Sequence, residues 1–376
     1  MNNEKMKWVI TILLPIVFLS CSVDEPESSF LIWQSKNPGS ASIKNSVHMD
    51  SMVFRSDPLK INSIYRSMQG PYNRTAVTIK SEDKLVWLVG YNCKVFNAST
   101  NNQLSDDYIC HNNLNYSLPD RYPWKLKTQG TDKRLFTITP GQTSIQLPVG
   151  TGIPVHTDYE LEFLSQALNH NVPDINLETV QQITIYYYSD SHAPENITPL
   201  FQQALFVTKQ TGGPLGDFNA ATSTKIKVPN LSCGVDSNSI CQIQYPSQAL
   251  YNPYFDDYGR TYTGHWNIPY GPAEWSTNVT QMMNLTEDTK LHAVGCHVHP
   301  YSDSLELWDL TKNIQIHNVL ASSYSNKIGL NHIAYDTMNI SLQKENQFGL
   351  RSTYHCTDSI YKHSAMATLF LYLEEY

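Results

Sequence analysis

The sequence predicts an all-β protein, built as two tandem jelly-roll-like antiparallel β-sandwich domains, and three observations carry that prediction. Short runs of β-branched and aromatic residues recur between turn residues, with almost no helical periodicity. Tyrosine is abundant, at 23 residues, and Asn, Ser and Thr are common, a composition suited to pleated, half-polar surfaces. The 376 residues are enough for two domains with separate cores. The net charge is −8, only 16% of residues are charged, and no basic block occurs, so nucleic acid is not an expected partner.

Residues 1–21 read as a lipoprotein signal peptide. Lys5 and Lys7 form a basic start, and residues 8–19 form an apolar run too short to span a bilayer comfortably. Phe18-Leu19-Ser20-Cys21 resembles a bacterial lipobox, with Ser20 as the small residue before cleavage and Cys21 as the lipidated new N-terminus. Ser22, where Asp would favour retention at the inner membrane, points to the outer membrane. Ordinary secretion with cleavage nearby is the alternative. Residues 22–45, rich in Ser, Pro and Glu, read as a flexible tether. The expected location is therefore outside the cytoplasm, with the membrane touched only through the anchor.

The N-terminal sandwich is placed at residues 46–210, with strands expected at 75–79, 85–89, 135–138, 145–147, 183–188 and 204–208. The C-terminal sandwich is placed at residues 211–376, with strands at 224–228, 242–245, 291–299, 304–310, 314–320 and 365–373. The boundary is set by the loop-like stretch Thr208-Lys-Gln-Thr-Gly-Gly-Pro-Leu-Gly216. Beyond Cys21, six cysteines remain, and an even number in an oxidising compartment suggests disulfides, with fifteen pairings open. Cys233 and Cys241 read as a hairpin clip; Cys93 with Cys110, and Cys296 with Cys356, make up the remainder.

The stretch most informative about chemistry is Leu291-His-Ala-Val-Gly-Cys-His-Val-His-Pro300. It is apolar enough for a buried strand, and the two-residue period puts His297 and His299 on one face. Two imidazoles converging from one rigid strand suit a copper or zinc ion; partly buried, hydrogen-bonded histidines are the alternative. Two further clusters carry ligand-type residues, Tyr108-Ile-Cys-His-Asn-Asn-Leu-Asn115 and Gln166-Ala-Leu-Asn-His-Asn171. His292, His363 and His355 read as structural, and His265 as either structural or an additional ligand. No Ser-His-Asp nucleophile, phosphate-cradling glycine loop or Cys-x-x-Cys pair is present.

Taken with Gly264-His-Trp-Asn-Ile-Pro-Tyr-Gly271, Leu305-Glu-Leu-Trp-Asp-Leu-Thr311 and Ser364-Ala-Met-Ala-Thr-Leu-Phe-Leu-Tyr372, these motifs resemble, in order, the copper type II ascorbate-dependent monooxygenases. This is the group of peptidylglycine α-hydroxylating and dopamine β-monooxygenases. The resemblance implies two jelly-roll domains, each offering one copper site to a shared cleft. His297, His299 and Met366 would hold the oxygen-activating copper; on its own, Met366 reads as a gap-filling core residue. His111 and His170 would hold an electron-donating copper, although Cys110 stands where that family has a further histidine. Gly295 replaces the family's carboxylate-binding arginine, so a peptide carboxylate is not the expected substrate. The implied function is hydroxylation of a small organic or peptide-like substrate with one or two copper ions, O2 and an ascorbate-like reductant. Two alternatives stay open: a non-catalytic copper-binding lipoprotein, and a binding or carbohydrate-active β-sandwich, because peptide N-glycanases share this architecture.

Overall fold

The computed structural model describes residues 33–34, 48–117, 134–212 and 251–375. The leader with Cys21, most of the tether, the Cys233/Cys241 clip and the strands expected at 224–228 and 242–245 lie outside these residues. Among the described residues the chain is all-β, as the sequence predicts. The strands of the first half are β1 (Trp33–Gln34), β2 (Asp50–Arg55), β3 (Leu59–Ile61), β4 (Tyr72–Val77), β5 (Leu85–Asn97) and β6 (Ile109–Tyr116). They continue as β7 (Arg134–Ile138), β8 (Ser144–Gln146), β9 (Thr151–His156), β10 (Leu161–Ala167), β11 (Leu177–Ser189) and β12 (Thr198–Phe206). The second half supplies β13 (Lys209–Gly212), β14 (Thr261–Thr263), β15 (Trp266–Ile268), β16 (Gly271–Asn278), β17 (Thr289–Val298) and β18 (Ser302–Asp309). Last come β19 (Ile314–Ser323), β20 (Leu330–Ile333), β21 (Asp336–Leu342), β22 (Phe348–Cys356), β23 (His363–Ala365) and β24 (Ala367–Glu374), with one short helix, α1 (Thr280–Met283).

One long sheet runs β1-β2-β11-β5-β9-β12-β24-β17-β21, antiparallel throughout except where β12 meets β9 in parallel. A four-stranded sheet, β4-β10-β6-β7, and a five-stranded sheet, β16-β22-β18-β19-β20, complete the two sandwiches. The first-half core holds Val86, Leu88, Ile183 and Ile185 of the long sheet together with Leu114, Phe136 and Phe163 of the four-stranded sheet. The second-half core holds residues of β12, β17 and β24 together with Leu305, Leu307 and Leu350 of the five-stranded sheet.

The two cores meet across β17 and β24. Alternation puts Ala367, Leu369, Leu371 and Leu373 into the second-half core while Tyr372 joins the first-half core. Val294, Cys296 and Val298 likewise face the second core, whereas Ala293 belongs to the first. These strands are buried on both faces, which is why they read as nearly continuous apolar runs. His297 and His299, on the face opposite Cys296 and Val298, therefore look into the seam between the halves.

The expected pairings of Cys93 with Cys110 and Cys296 with Cys356 are not formed; all four are buried free thiols. Cys93 sits on β5 in the long sheet, its sulfur 3.8 Å from the Lys94 carbonyl oxygen and 4.0 Å from Gln181 Oε1. Cys110 sits on β6 in the facing sheet. Cys296 and Cys356 pack into the second-half core from β17 and β22 as small apolar side chains.

Candidate functional site

Register assembles the site. His297 lies opposite Thr368 and Val298 opposite Ala367 where β17 pairs with β24. Across the seam comes β6, whose eight residues are all buried although four are Asn or His. Its two-residue period sends Asn112 and Leu114 to one side and His111, Asn113 and Asn115 to the other. His111 thereby reaches His297, with ring centroids 6.1 Å apart. The sequence of rings continues from His297 to His299 at 5.4 Å and from His299 to His265, just before β15, at 5.9 Å. His170, near the start of the loop between β10 and β11, shares a cleft with His297 and His299.

That cleft is also walled by Cys110, Asp107, Leu168 and Ile328-Gly329-Leu330. The volume open to a water centre is about 20 Å³, room for one water or a similarly small group.

Several ring nitrogens in the cluster have no hydrogen-bond partner in the protein. They are both nitrogens of His297 and Nε2 of His170, His265 and His299. His299 Nδ1 lies 3.0 Å from the Ser364 carbonyl oxygen and 3.2 Å from the Ser364 hydroxyl; the carbonyl can only accept, which favours the tautomer with the proton on Nδ1. Its Nε2 is then a bare lone pair, buried in the cleft wall.

All these rings are held neutral. Burial pushes His111 down to about 3, helped by the Arg134 guanidinium and by His299. Burial lowers His170 to about 4, with His363 and Arg66 adding to the effect and Asp107 opposing it. Burial alone takes His265 to about 4. His297 and His299 fall well below the ordinary histidine value, first through burial and then through mutual repulsion with neighbouring rings. Burial raises the Cys110 thiol to about 11, so it faces the cleft protonated.

The structure thus gathers His111, His170, His297 and His299, which the sequence singled out, but as one cluster instead of two separate sites. His265, read from sequence as structural or an extra ligand, is drawn in as well. Met366 is buried between β23 and β24, its carbonyl accepting a 2.7 Å hydrogen bond from the Tyr354 hydroxyl; it is not among the cleft-lining residues. His292 pairs with Glu374 at 2.9 Å, and His363 pairs with Asp358 at 2.8 Å while packing on Tyr301. Those two have the structural roles the sequence suggested. The cleft role of residues 328–330 carried no sequence signal, since they have neither ligand spacing nor a motif, and Cys110, although in a ligand-type cluster, read as a disulfide partner.

No protein-family model matches the chain, and no curated protein matches it. Solved structures that match include PNGase F, a glycosylasparaginase from Flavobacterium meningosepticum, at 8% identity and a TM-score of 0.34, over 87% of this chain and 96% of that one. A peptide-N(4)-(N-acetyl-β-D-glucosaminyl) asparagine amidase matches at 7% identity and a TM-score of 0.34, over 87% and 96%. The ANXUR2 extracellular domain from Arabidopsis thaliana matches at 10% identity and a TM-score of 0.18, over 93% and 89%. Likeness this remote assigns no activity to the chain.

These findings overturn the expected membership of the copper ascorbate-dependent monooxygenases, together with the copper-binding and hydroxylating functions drawn from it. Neither a family model nor a curated relative supports that membership. Among the described residues, no group of three or more His, Cys, Asp or Glu converges so as to hold a metal ion. The rings form a row from His111 through His297 and His299 to His265, with neighbouring centroids 5.4 to 6.1 Å apart, and Met366, the sulfur ligand that the resemblance implied, is not among the cleft-lining residues.

Proposed function

We propose that the protein is an exported binding protein whose interdomain cleft receives a small, neutral, hydrogen-bond-donating group of an organic or peptide-like ligand. The observation that carries this reading is His299 Nε2, which has no partner in the protein and is an acceptor in the tautomer that the Ser364 carbonyl favours. An unpaired buried acceptor costs about 1–3 kcal/mol, and a ligand N–H or O–H recovers much of that. His170 Nε2 offers a second contact point on the same cleft. Because the imidazoles are neutral, they present lone pairs without attracting anions. The small volume restricts the seated group to an amide, hydroxyl or similar terminus, with the remainder of the ligand outside.

Histidine-selective 15N labelling allows the ring nitrogens to be followed by NMR. Acetamide, an N–H donor, should shift the His299 Nε2 resonance at millimolar concentration, while acetate, which only accepts, should leave it in place. Equal responses to the two probes, or none to acetamide, refute the reading. Stoichiometric capture of zinc by these nitrogens would refute it as well.

A further inference from the structure

The wall of the cleft contributed by residues 328–330 belongs to the connection between β19 and β20, and that connection is fastened to the other half of the molecule. Lys327 forms an ion pair with Asp107, and its ammonium group lies 3.9 Å from the centre of the Tyr324 ring. Asn171 donates from Nδ2 to the Ile328 carbonyl at 2.8 Å and accepts from the Ile328 N–H at Oδ1 at 2.9 Å. Both anchors stand beside the cleft: Asp107 lines it, and Asn171 follows His170, which lines it too.

The segment closes on itself. Tyr324 N–H donates to the Gly329 carbonyl at 3.1 Å, closing residues 324–329 into a loop. Gly329 has φ +155°, and a Cβ there would come within 3.3 Å of Asp107 Oδ1 and of the Tyr324 ring, so glycine suits the position. Leu330, next along, is 2% exposed and anchored in the second-half core. Between these ends, no side chain of residues 324–328 belongs to a core cluster. What holds the loop down is polar and local.

We propose that residues 324–329 form a strap that closes the histidine cleft, latched by Lys327 to Asp107 and by Asn171 to the Ile328 backbone, and that release of this latch admits the ligand. The ligand's identity rests on the binding reading above; the gate itself can be tested without a ligand. Diethyl pyrocarbonate acylates neutral imidazoles that reagent can reach, and mass spectrometry of the peptide carrying His297 and His299 reads the rate there.

Lys327→Ala should raise that rate about fivefold, the scale of a partly exposed ion pair. Asn171→Ala, which removes two hydrogen bonds, should raise it about tenfold. A double variant, Asn171→Cys with Ile328→Cys, should protect both histidines when oxidised and lose that protection on reduction, with the unsubstituted protein insensitive to the reductant. Equal rates in all these proteins overturn the gate. Rates that follow the latch while acetamide leaves the ring nitrogens unmoved keep the gate and sink the binding reading.

Discussion

His111 and Asn112 are neighbours on β6, equally buried, and they meet opposite fates. Asn112 turns toward the long sheet and is fully employed. Its Oδ1 accepts from the Tyr91 hydroxyl, and its Nδ2 donates to Ser165 Oγ and Gln181 Oε1, both at 2.9 Å. Gln181 in turn donates to the Gln166 carbonyl at 2.9 Å. On the other face, His111 joins rings whose nitrogens include several with no partner in the protein. Burial of polarity therefore does not distinguish a site from a structural network. The difference lies in satisfaction: the asparagine network closes on itself, whereas the histidine cluster has bonding capacity left for something else.

Acid should break the comparison most strongly. His111, His170 and His265 have folded values of about 3, 4 and 4, below the ordinary 6.5, so the unfolded chain binds more protons below that pH. Their contribution to stability is complete above pH 6.5 and is lost as pH falls toward 4. These three rings alone bind three extra protons on unfolding, a decline of about 4 kcal/mol per pH unit at most in that window, and His297 and His299 add to it. Arg134 and Arg66 lower the folded values and extend the decline to lower pH, while Asp107 opposes this for His170. Urea unfolding between pH 7.5 and 4 measures the slope, and a flat profile would contradict the neutral cluster.

Next in size is Asn112→Ala. It strands the Tyr91 hydroxyl, Ser165 and Gln181 in a closed interior, and should cost about 3–5 kcal/mol by urea unfolding at pH 7.5. His297→Phe should behave in the opposite way. It replaces a ring with no partner by an apolar one of similar shape, so stability should change by less than about 1 kcal/mol in either direction. A loss as large as that of Asn112→Ala would mean the two regions do not differ in kind. The smallest effect expected is none: unfolding the never-reduced protein should release at least four thiols to Ellman's reagent, those of Cys93, Cys110, Cys296 and Cys356.

Much of the architecture could be read from the chain. The strands expected at 85–89, 183–188, 291–299, 304–310 and 314–320 all fall within or across observed strands, because apolar and β-branched residues recur there at sheet period. In the sequence, β6 reads as a cluster of ligand-type residues and not as a strand. Its asparagines are poor strand formers, and only the neighbouring sheets supply their hydrogen bonds. The histidines could be nominated one by one, and the pairing of His297 with His299 follows from strand period alone. Motif order divided them between two halves, whereas the structure brings His111 beside His297, since spacing along the chain says nothing about distances across a seam.

The sequence by itself determined the all-β class, the double-sided burial of β17 and β24, and the shared face of His297 and His299, because alternation is a local property of extended backbone. Tertiary structure alone decided that His111, His170 and His265 join them, that the four described cysteines stay apart, and that Ile328 and Gly329 come to line the cleft. Those outcomes depend on which strands become neighbours and in which register, and that is settled by packing two cores against a common wall of strands.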